Sequence, residues 1–471
     1  MPAIGTPDAV HPGGPRIVVV GCGFAGASFA LELLRQHRGL DVTVIERGDR
    51  FGPGLAYSTE HPSHILNSRK RRMSIEQGRP NDFCDWLAVR RPFARDFVLR
   101  RDYGAYLEAR LQQEARINAR LNLTSGSVSS WTPEAGRVRV ALNGGDELIA
   151  DAVVLAIGNL PAEHPWPINP DALGERYVHN PFDQKQLARI DADKDVLIIG
   201  AGLTMIDTML SLAERRHSGR IIALSRRGLL PQPHVDSAGP ANWPIETHMR
   251  ASEAMAALRR EARKAEAAGQ PWQHIMDGVR AKTPALWAAL PLEERQRFLR
   301  HARPWWDSHR HRAPTETLAR LEALMQRDAL RVLAGKLEQI EAGDAIRVLY
   351  RPRGAKDAAE LRVGAIINCT GSAVNVESID EPLLAHAREQ GLVVPHQSGI
   401  GVEVDPTCRV VTRHESAAPV FALGALTQGE HWEITAVPEI RAQAEGLARH
   451  IASLHEARAE RAAPAARLPR A

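Results

Sequence analysis

Two glycine-rich turns, each set between a short apolar run and an amphipathic helix, constrain this chain more than any other feature. The first is Gly21-Cys22-Gly23-Phe24-Ala25-Gly26. The run before it, Arg16 to Val20, reads as a buried strand. After it, Ala27, Ala30, Leu31 and Leu34 fall at i, i+3, i+4 and i+7, one face of a helix. Asp41 to Ile45 reads as a second strand, ended by Glu46. In such a βαβ start Gly21 permits the tight turn, Gly23 lets a pyrophosphate approach the backbone, and Gly26 allows close helix–strand packing. The helix N-terminus turns free N–H groups and a positive dipole end towards phosphates. Glu46, 20 residues after Gly26, stands where an acid binds ribose hydroxyls, with Arg47 beside it. A glycine-rich turn without a ligand is the plain alternative, but strand, motif, helix, strand and acid in this order point to a dinucleotide.

The pattern then restarts. Asp195 to Ile199 reads as a strand, followed by Gly200-Ala201-Gly202 and a helix with Leu203, Ile206 and Leu210 on one face. Met205 stands where the third glycine would be, which predicts a wider helix–strand approach but leaves the phosphate turn intact. The next strand, Arg220 to Leu224, ends not in an acid but in Ser225-Arg226-Arg227. Arginine at that point pairs with a 2′-phosphate, so NADPH is accommodated as well as NADH. The alternative is that Arg226 and Arg227 are solvated surface charges.

The repeat predicts an α/β fold with two Rossmann-like dinucleotide-binding domains and a helical insertion in the second. We expect a first FAD-binding segment over 1–165, an NAD(P)H-binding domain over 166–371, and a second FAD-binding segment with a C-terminal helix over 372–471. The Ala-, Arg- and Glu-rich span 240–330 is the insertion. It carries Trp243, Trp272, Trp287, Trp305 and Trp306, which argues for packing. Further strands are expected at Ala152–Ile157, Ala345–Tyr350, Val363–Cys369 and Val420–Leu423, and a last helix from Thr435 to about His455.

Composition removes several classes. In 471 residues, 44% hydrophobic and 25% charged, a mainly disordered chain is excluded. The formal net charge of +4 is too small for its length to imply a nucleic-acid partner. Cys22, Cys84, Cys369 and Cys408 form no C-x-x-C pair, which disfavours a disulfide scaffold, a zinc ribbon and a dithiol relay. His309 and His311 have no paired carboxylates at ligand spacing, so no metal site is expected. No apolar run of about 18 residues suggests a membrane partner, and no secretory signal is visible. A cytoplasmic location is expected; the oligomeric state is not legible.

Other segments carry a family resemblance. Ala156-Ile157-Gly158-Asn159 resembles the element closing the first FAD segment of two-dinucleotide-domain flavoproteins. Asn368-Cys369-Thr370-Gly371 resembles the element at the return from their NADP domain. Phe421-Ala422-Leu423-Gly424 and Trp432 to Arg441, with Thr435 and Ala436, resemble the segment that completes their FAD site. Gly52-Pro53-Gly54-Leu55-Ala56-Tyr57-Ser58, His64 to Asn67 and Met73-Ser74 resemble a bacterial FAD/NAD(P)-binding family, some of whose members look like flavin-dependent N-hydroxylases. One resembles FAD-dependent urate hydroxylases.

That resemblance implies a monooxygenase using FAD, NADH or NADPH, and O2 on a small substrate. Urate oxidised to 5-hydroxyisourate is the leading expectation, and an amine to be N-hydroxylated is the alternative. A flavin reductase passing electrons to a partner and a non-catalytic nucleotide sensor are the remaining rivals. Such chemistry needs no protein nucleophile, since the flavin carries it. Asn67, Tyr57 and Ser74 are expected near the ring by resemblance. His309 and Arg310, in the cation–aromatic run Arg303 to Arg312, are expected to bind a planar anion or shuttle protons. Glu430 and Glu433 are carboxylates available to an amine.

Overall fold

The computed structural model describes residues 14–236, 249–414 and 418–462. Trp243 lies outside the described residues. In chain order the first strands are β1 (Arg16–Val20), β2 (Asp41–Glu46), β3 (Leu121–Ser125), β4 (Val128–Glu134), β5 (Arg137–Leu142), β6 (Glu147–Ala150) and β7 (Ala152–Leu155). There follow β8 (Tyr177–Val178), β9 (Val196–Ile199), β10 (Ile221–Ser225), β11 (Leu330–Glu341), β12 (Ile346–Pro352), β13 (Ala359–Val363), β14 (Ala365–Asn368) and β15 (Val420–Ala422).

The chain divides into two compact units. One comprises 1–58, 68–159 and 374–471, and the other 59–67 and 160–373. The units change over at 159 and 373, and the excursion Thr59–Asn67 joins the second unit, which the sequence did not signal. His64 explains that excursion. Its buried ring bonds Thr59 Oγ1 at 2.9 Å through Nδ1 and Ser211 Oγ at 3.0 Å through Nε2, so the segment is held to the helix Leu203–Glu214.

The first unit is built on a five-stranded parallel sheet ordered β15-β7-β1-β2-β3. Its inner strands are uninterrupted apolar runs because both faces are covered. The antiparallel sheet β4-β5-β6 joins it. Sequence patterning missed β3 to β6 and the helix Arg100–Ile117, because their polar faces dominate; that helix buries only Tyr103, Gly104, Tyr106, Leu107 and Leu111. The last helix runs from Val437 to Ala462, longer and later than expected, and Thr435 and Ala436 form the turn before it.

The second unit is built on a seven-stranded sheet ordered β13-β12-β11-β10-β9-β14-β8. Its parallel part is β11-β10-β9-β14-β8, and β12 and β13 continue it antiparallel. Six helices between Ala251 and Gln326 separate β10 from β11, which is the expected insertion. Met205, Ile206, Met209 and Leu212 of the helix Leu203–Glu214 pack on β9, β10 and β14 as one core.

Candidate nucleotide sites

The two glycine turns are atomic repeats of one another. Gly21 N donates to Ile45 O at 2.8 Å, and Gly200 N to Leu224 O at 2.8 Å. Ala156 N donates to Val20 O and Cys369 N to Ile199 O, each at 2.8 Å. Gly21 has φ +96° and Gly200 φ +115°, a region closed to most side chains. A Cβ at Gly21 would lie 2.5 Å from Ala156 O, and one at Gly200 would lie 2.2 Å from Cys369 O. Both turns sit at the carboxyl ends of parallel strands where strand order reverses, between β1 and β7 and between β9 and β14. That crevice is where open α/β sheets bind ligands.

The middle glycines differ in kind. Gly23 and Gly202 are the N-caps of the helices Phe24–Gln36 and Leu203–Glu214, with φ −75° and −87° that any residue adopts. A Cβ at Gly23 would meet only Gly54 Cα at 3.6 Å, an ordinary contact, and one at Gly202 would meet nothing within 4 Å. The protein's own packing therefore does not require glycine at either position. An open space over two helix N-termini fits a pyrophosphate. Gly26, by contrast, is demanded by the fold, since its Cβ would lie 2.1 Å from Gly21 O. Met205 replaces that contact in the second unit and is fully buried.

The remaining expected cofactor residues surround these turns. In the first unit Glu46 Oε2 accepts from Cys22 N at 2.6 Å, tying the acid at the end of β2 to the glycine turn. Two acceptors on each oxygen leave room for a ribose. Arg47 is exposed. Gly158, after β7 and Ala156, has φ +74° with open space where a side chain would stand. The loop Gly52-Pro53-Gly54 closes on the motif: Gly52 N donates to Cys22 O at 2.8 Å. Gly424 has φ +73° and faces Ala25 on the motif helix, and Gln443 Oε1 accepts its N–H at 2.8 Å. Thr435 is exposed in the turn that Glu433 enters with φ +72°. In the second unit Thr370 N and Oγ1 donate to Asn368 Oδ1 at 3.2 and 2.7 Å, and Gly371 (φ +92°) borders open space.

The two arginines after β10 part company. Arg227 donates to His301 O at 3.2 Å and lies 5.8 Å over the Trp305 ring. Arg226 is exposed and has no ion pair or side-chain hydrogen bond among the described residues.

The five expected catalytic residues are split between the units: Tyr57 and Ser74 in the first, Asn67, His309 and Arg310 in the second. Tyr57 meets Tyr103 edge-on at 4.6 Å, and burial pushes its phenol up to about 12, so it stays protonated. Ser74 is fully buried and its hydroxyl is spent on Arg79 O. Its carbonyl instead receives Arg441 Nη1 at 2.7 Å, while Arg441 Nε reaches Gln77 Oε1 at 2.7 Å. Arg441, on the C-terminal helix, lies at the end of the segment whose resemblance pointed to the FAD site, and no role of its own was expected for it. Asn67 O bonds His234 Nε2 at 2.8 Å. Glu430 Oε2 lies 3.8 Å from His396 Nε2.

The cation–aromatic run is the helix Arg303–Arg310 and its exit. His309 Nδ1 bonds Trp305 O at 2.8 Å, and its ring meets Trp272 edge-on. Arg310 is half-buried. Arg303 and His311 both face Asp307, at 3.4 and 3.6 Å, and buried Arg312 pairs with Asp277. Much of the charge expected to meet an anion is thus matched within the insertion. Asp277→Ala leaves Arg312 buried without its carboxylate and is expected to cost about 3–5 kcal/mol. Chemical denaturation of the variant checks this, and a loss under about 1 kcal/mol shows the pair to be solvated.

The cysteines are all free, and burial raises the thiols of Cys22, Cys369 and Cys408, the last to about 11. Among the described residues no group of three or more His, Cys, Asp or Glu is set to hold a metal, and no helix is long and apolar enough to cross a membrane.

Comparison with known proteins agrees with this geometry. A soluble pyridine nucleotide transhydrogenase of Yersinia pestis is 27% identical over 187 residues, 40% of this chain and 38% of that protein. The chain therefore spans about two-fifths of the length of the curated relatives it matches. Ornithine hydroxylase of Pseudomonas aeruginosa, 16% identical, covers 94% of this chain and 100% of its own with a TM-score of 0.64. L-lysine 6-monooxygenase of Pseudomonas syringae, 18% identical, covers 94% and 99% at 0.64. Bacillithiol disulfide reductase of Staphylococcus aureus, 14% identical, covers 93% and 98% at 0.55. A family model described as FAD-NAD(P)-binding matches residues 18–160, so the first glycine turn stands in an FAD-NAD(P)-binding domain, and nearly the whole chain shares the Rossmann-like α/β fold of the hydroxylase and monooxygenase structures.

Proposed function

We propose that this protein is an FAD-dependent monooxygenase that uses NAD(P)H and O2 to N-hydroxylate a small amine. The observation that carries this reading is the likeness of fold, over 94% of the chain, to hydroxylases of ornithine and lysine, on a chain with two open glycine cradles. Urate, the leading expectation from the sequence, finds no support among these neighbours and is replaced by the amine. A disulfide substrate is not favoured either, because no two cysteines form a reactive pair and three of the four are buried.

FAD, when bound, would supply the redox chemistry that couples NAD(P)H and O2 to the hydroxylation, with the second oxygen atom leaving as water. The chain's part is to bind and orient. Backbone N–H groups after Gly23 and after Gly202 hold the two pyrophosphates. Glu46 takes ribose hydroxyls. Gly158 and Gly424 line the FAD turn without filling it, and Thr370 and Gly371 do the same beside the second dinucleotide. Arg226 receives the 2′-phosphate of NADPH. Tyr57 contributes a neutral phenol.

The test follows NADPH, O2, peroxide and hydroxylamine together while ornithine, lysine, cadaverine and urate are added in turn. An amine that accelerates NADPH oxidation and is converted to its hydroxylamine supports the reading. Peroxide in place of hydroxylamine with every amine refutes it, and loss of urate under the same conditions restores the earlier expectation.

A further inference from the structure

We propose that the segment Val89–Arg95 of the first unit, a helix end and the loop after it, docks this protein on an anionic lipid surface. Phe93 is 98% exposed and Val89 82% exposed, the two most exposed large apolar side chains among the described residues. They stand four residues apart, Val89 near the end of the helix Asp82–Arg90 and Phe93 just past Pro92. Single exposed apolar residues need no explanation, but two so close in one helix end and its following loop do when a particular charge pattern surrounds them.

That pattern is basic. From Arg69 to Asp102 the chain has ten Lys and Arg against five Asp and Glu, a net +5, while the whole chain carries only +4. The fold brings the earlier basic run to this segment. Lys70 N donates to Asp96 O at 2.8 Å, and Lys70 Nζ donates to Ala94 O at 2.6 Å. The turn Lys70–Arg72 is thereby strapped to the loop that holds Phe93. Arg71 is exposed with no ion pair among the described residues. Arg90 lies 4.0 Å over the Trp86 ring, Arg91 pairs with Asp102 at 2.9 Å, and Arg95 is exposed. The acids nearby are Asp85, Asp96 and Asp102; Asp96 is met by Arg69 and Asp102 by Arg91.

An apolar pair among arginines matches the boundary between acyl chains and anionic headgroups, where both parts gain at once. A second copy of the same patch would be repelled by its like charge. Nucleic acid would satisfy the arginines but gives Val89 no apolar medium. The lipid is therefore the occupant that uses both halves of the surface. This contact is peripheral and independent of the catalytic reading, since none of these residues belongs to the nucleotide sites.

The experiment is co-sedimentation of the flavin-loaded protein with vesicles of phosphatidylcholine alone and of phosphatidylcholine mixed with phosphatidylglycerol, at low and high salt. Expected is binding to the mixed vesicles only, weakened at least about tenfold by Phe93→Ser and similarly by the double variant R71E/R95E, and released by salt. All three proteins should keep their bound flavin and thermal midpoint, so a loss of binding is not a loss of fold. No binding at low salt, equal binding to both vesicles, or full binding by Phe93→Ser overturns the proposal. Release from mixed vesicles by a small excess of single-stranded DNA, with direct retention on that DNA, also overturns it and names a nucleic acid as the partner.

Discussion

Gly23→Ala yields a folded protein that no longer retains FAD through gel filtration, while Gly26→Ala yields one that is destabilised whether FAD is present or not. The two positions lie three residues apart in one motif, yet they are glycine for different reasons. At Gly23 the backbone has an ordinary φ and the added Cβ meets only Gly54 Cα at 3.6 Å. The apo fold then loses no more than about 1 kcal/mol, chiefly from the weaker N-cap. A methyl in the space of a pyrophosphate, however, pushes the phosphates from the helix N-terminus, and a loss of about ten- to hundredfold in FAD affinity follows, or about 1.4–2.8 kcal/mol. At Gly26 the added Cβ would sit 2.1 Å from Gly21 O, so helix and strand must separate. Overpacking of that kind costs about 1–3 kcal/mol. Flavin absorbance after gel filtration, an FAD titration and thermal unfolding of both apo variants separate the effects. A Gly23→Ala protein that binds FAD as tightly as the wild type refutes the placement of the pyrophosphate.

Arg226→Ala raises the NADPH concentration needed for half-maximal turnover by about ten- to hundredfold and leaves the NADH requirement nearly unchanged. The reason is a charge-assisted contact to a phosphate that only NADPH carries, worth about 1.5–3 kcal/mol. Arg226 is exposed at the end of β10, on the strand next to the Gly200 turn, and unspent among the described residues. Arg227 is already engaged with His301 O and the Trp305 ring, so Arg227→Ala is expected to change cofactor preference less and stability more. Steady-state kinetics with both nicotinamides checks the pair. Equal effects of Arg226→Ala on NADPH and NADH show that it is a surface charge, and a larger preference change from Arg227→Ala reverses the assignment.

The candidate site was legible in the sequence where its chemistry depends on backbone. Gly21, Gly23, Gly26, Gly200, Gly202 and Glu46 are local: strand, turn and helix lie within some thirty residues, and apolar periodicity reports them directly. Arg226 and Arg227 were legible as a pair but not as two different residues, because what distinguishes them is a contact to His301, 74 residues away. Ser74 shows the opposite failure. Its place beside a resemblance made it a catalytic candidate, while the fold buries its hydroxyl on Arg79 O and uses its carbonyl to seat Arg441, 367 residues later. No local pattern encodes a partner at that distance.

The sequence by itself determined the two βαβ starts, the helical insertion and the absence of a C-x-x-C pair, since each depends on residue type and short spacing. Only the tertiary structure decided which glycines the fold needs and which it leaves open for a ligand, because that depends on what atoms from Ala156 after β7, Cys369 after β14 and the Gly52–Gly54 loop stand opposite each missing side chain. It alone assigned Thr59–Asn67 to the second unit, since the partners of His64 lie on a helix about 140 residues downstream. And it alone strapped the basic turn Lys70–Arg72 to the Phe93 loop, where two unremarkable stretches of sequence become one surface because hydrogen bonds from Lys70 close the loop between them.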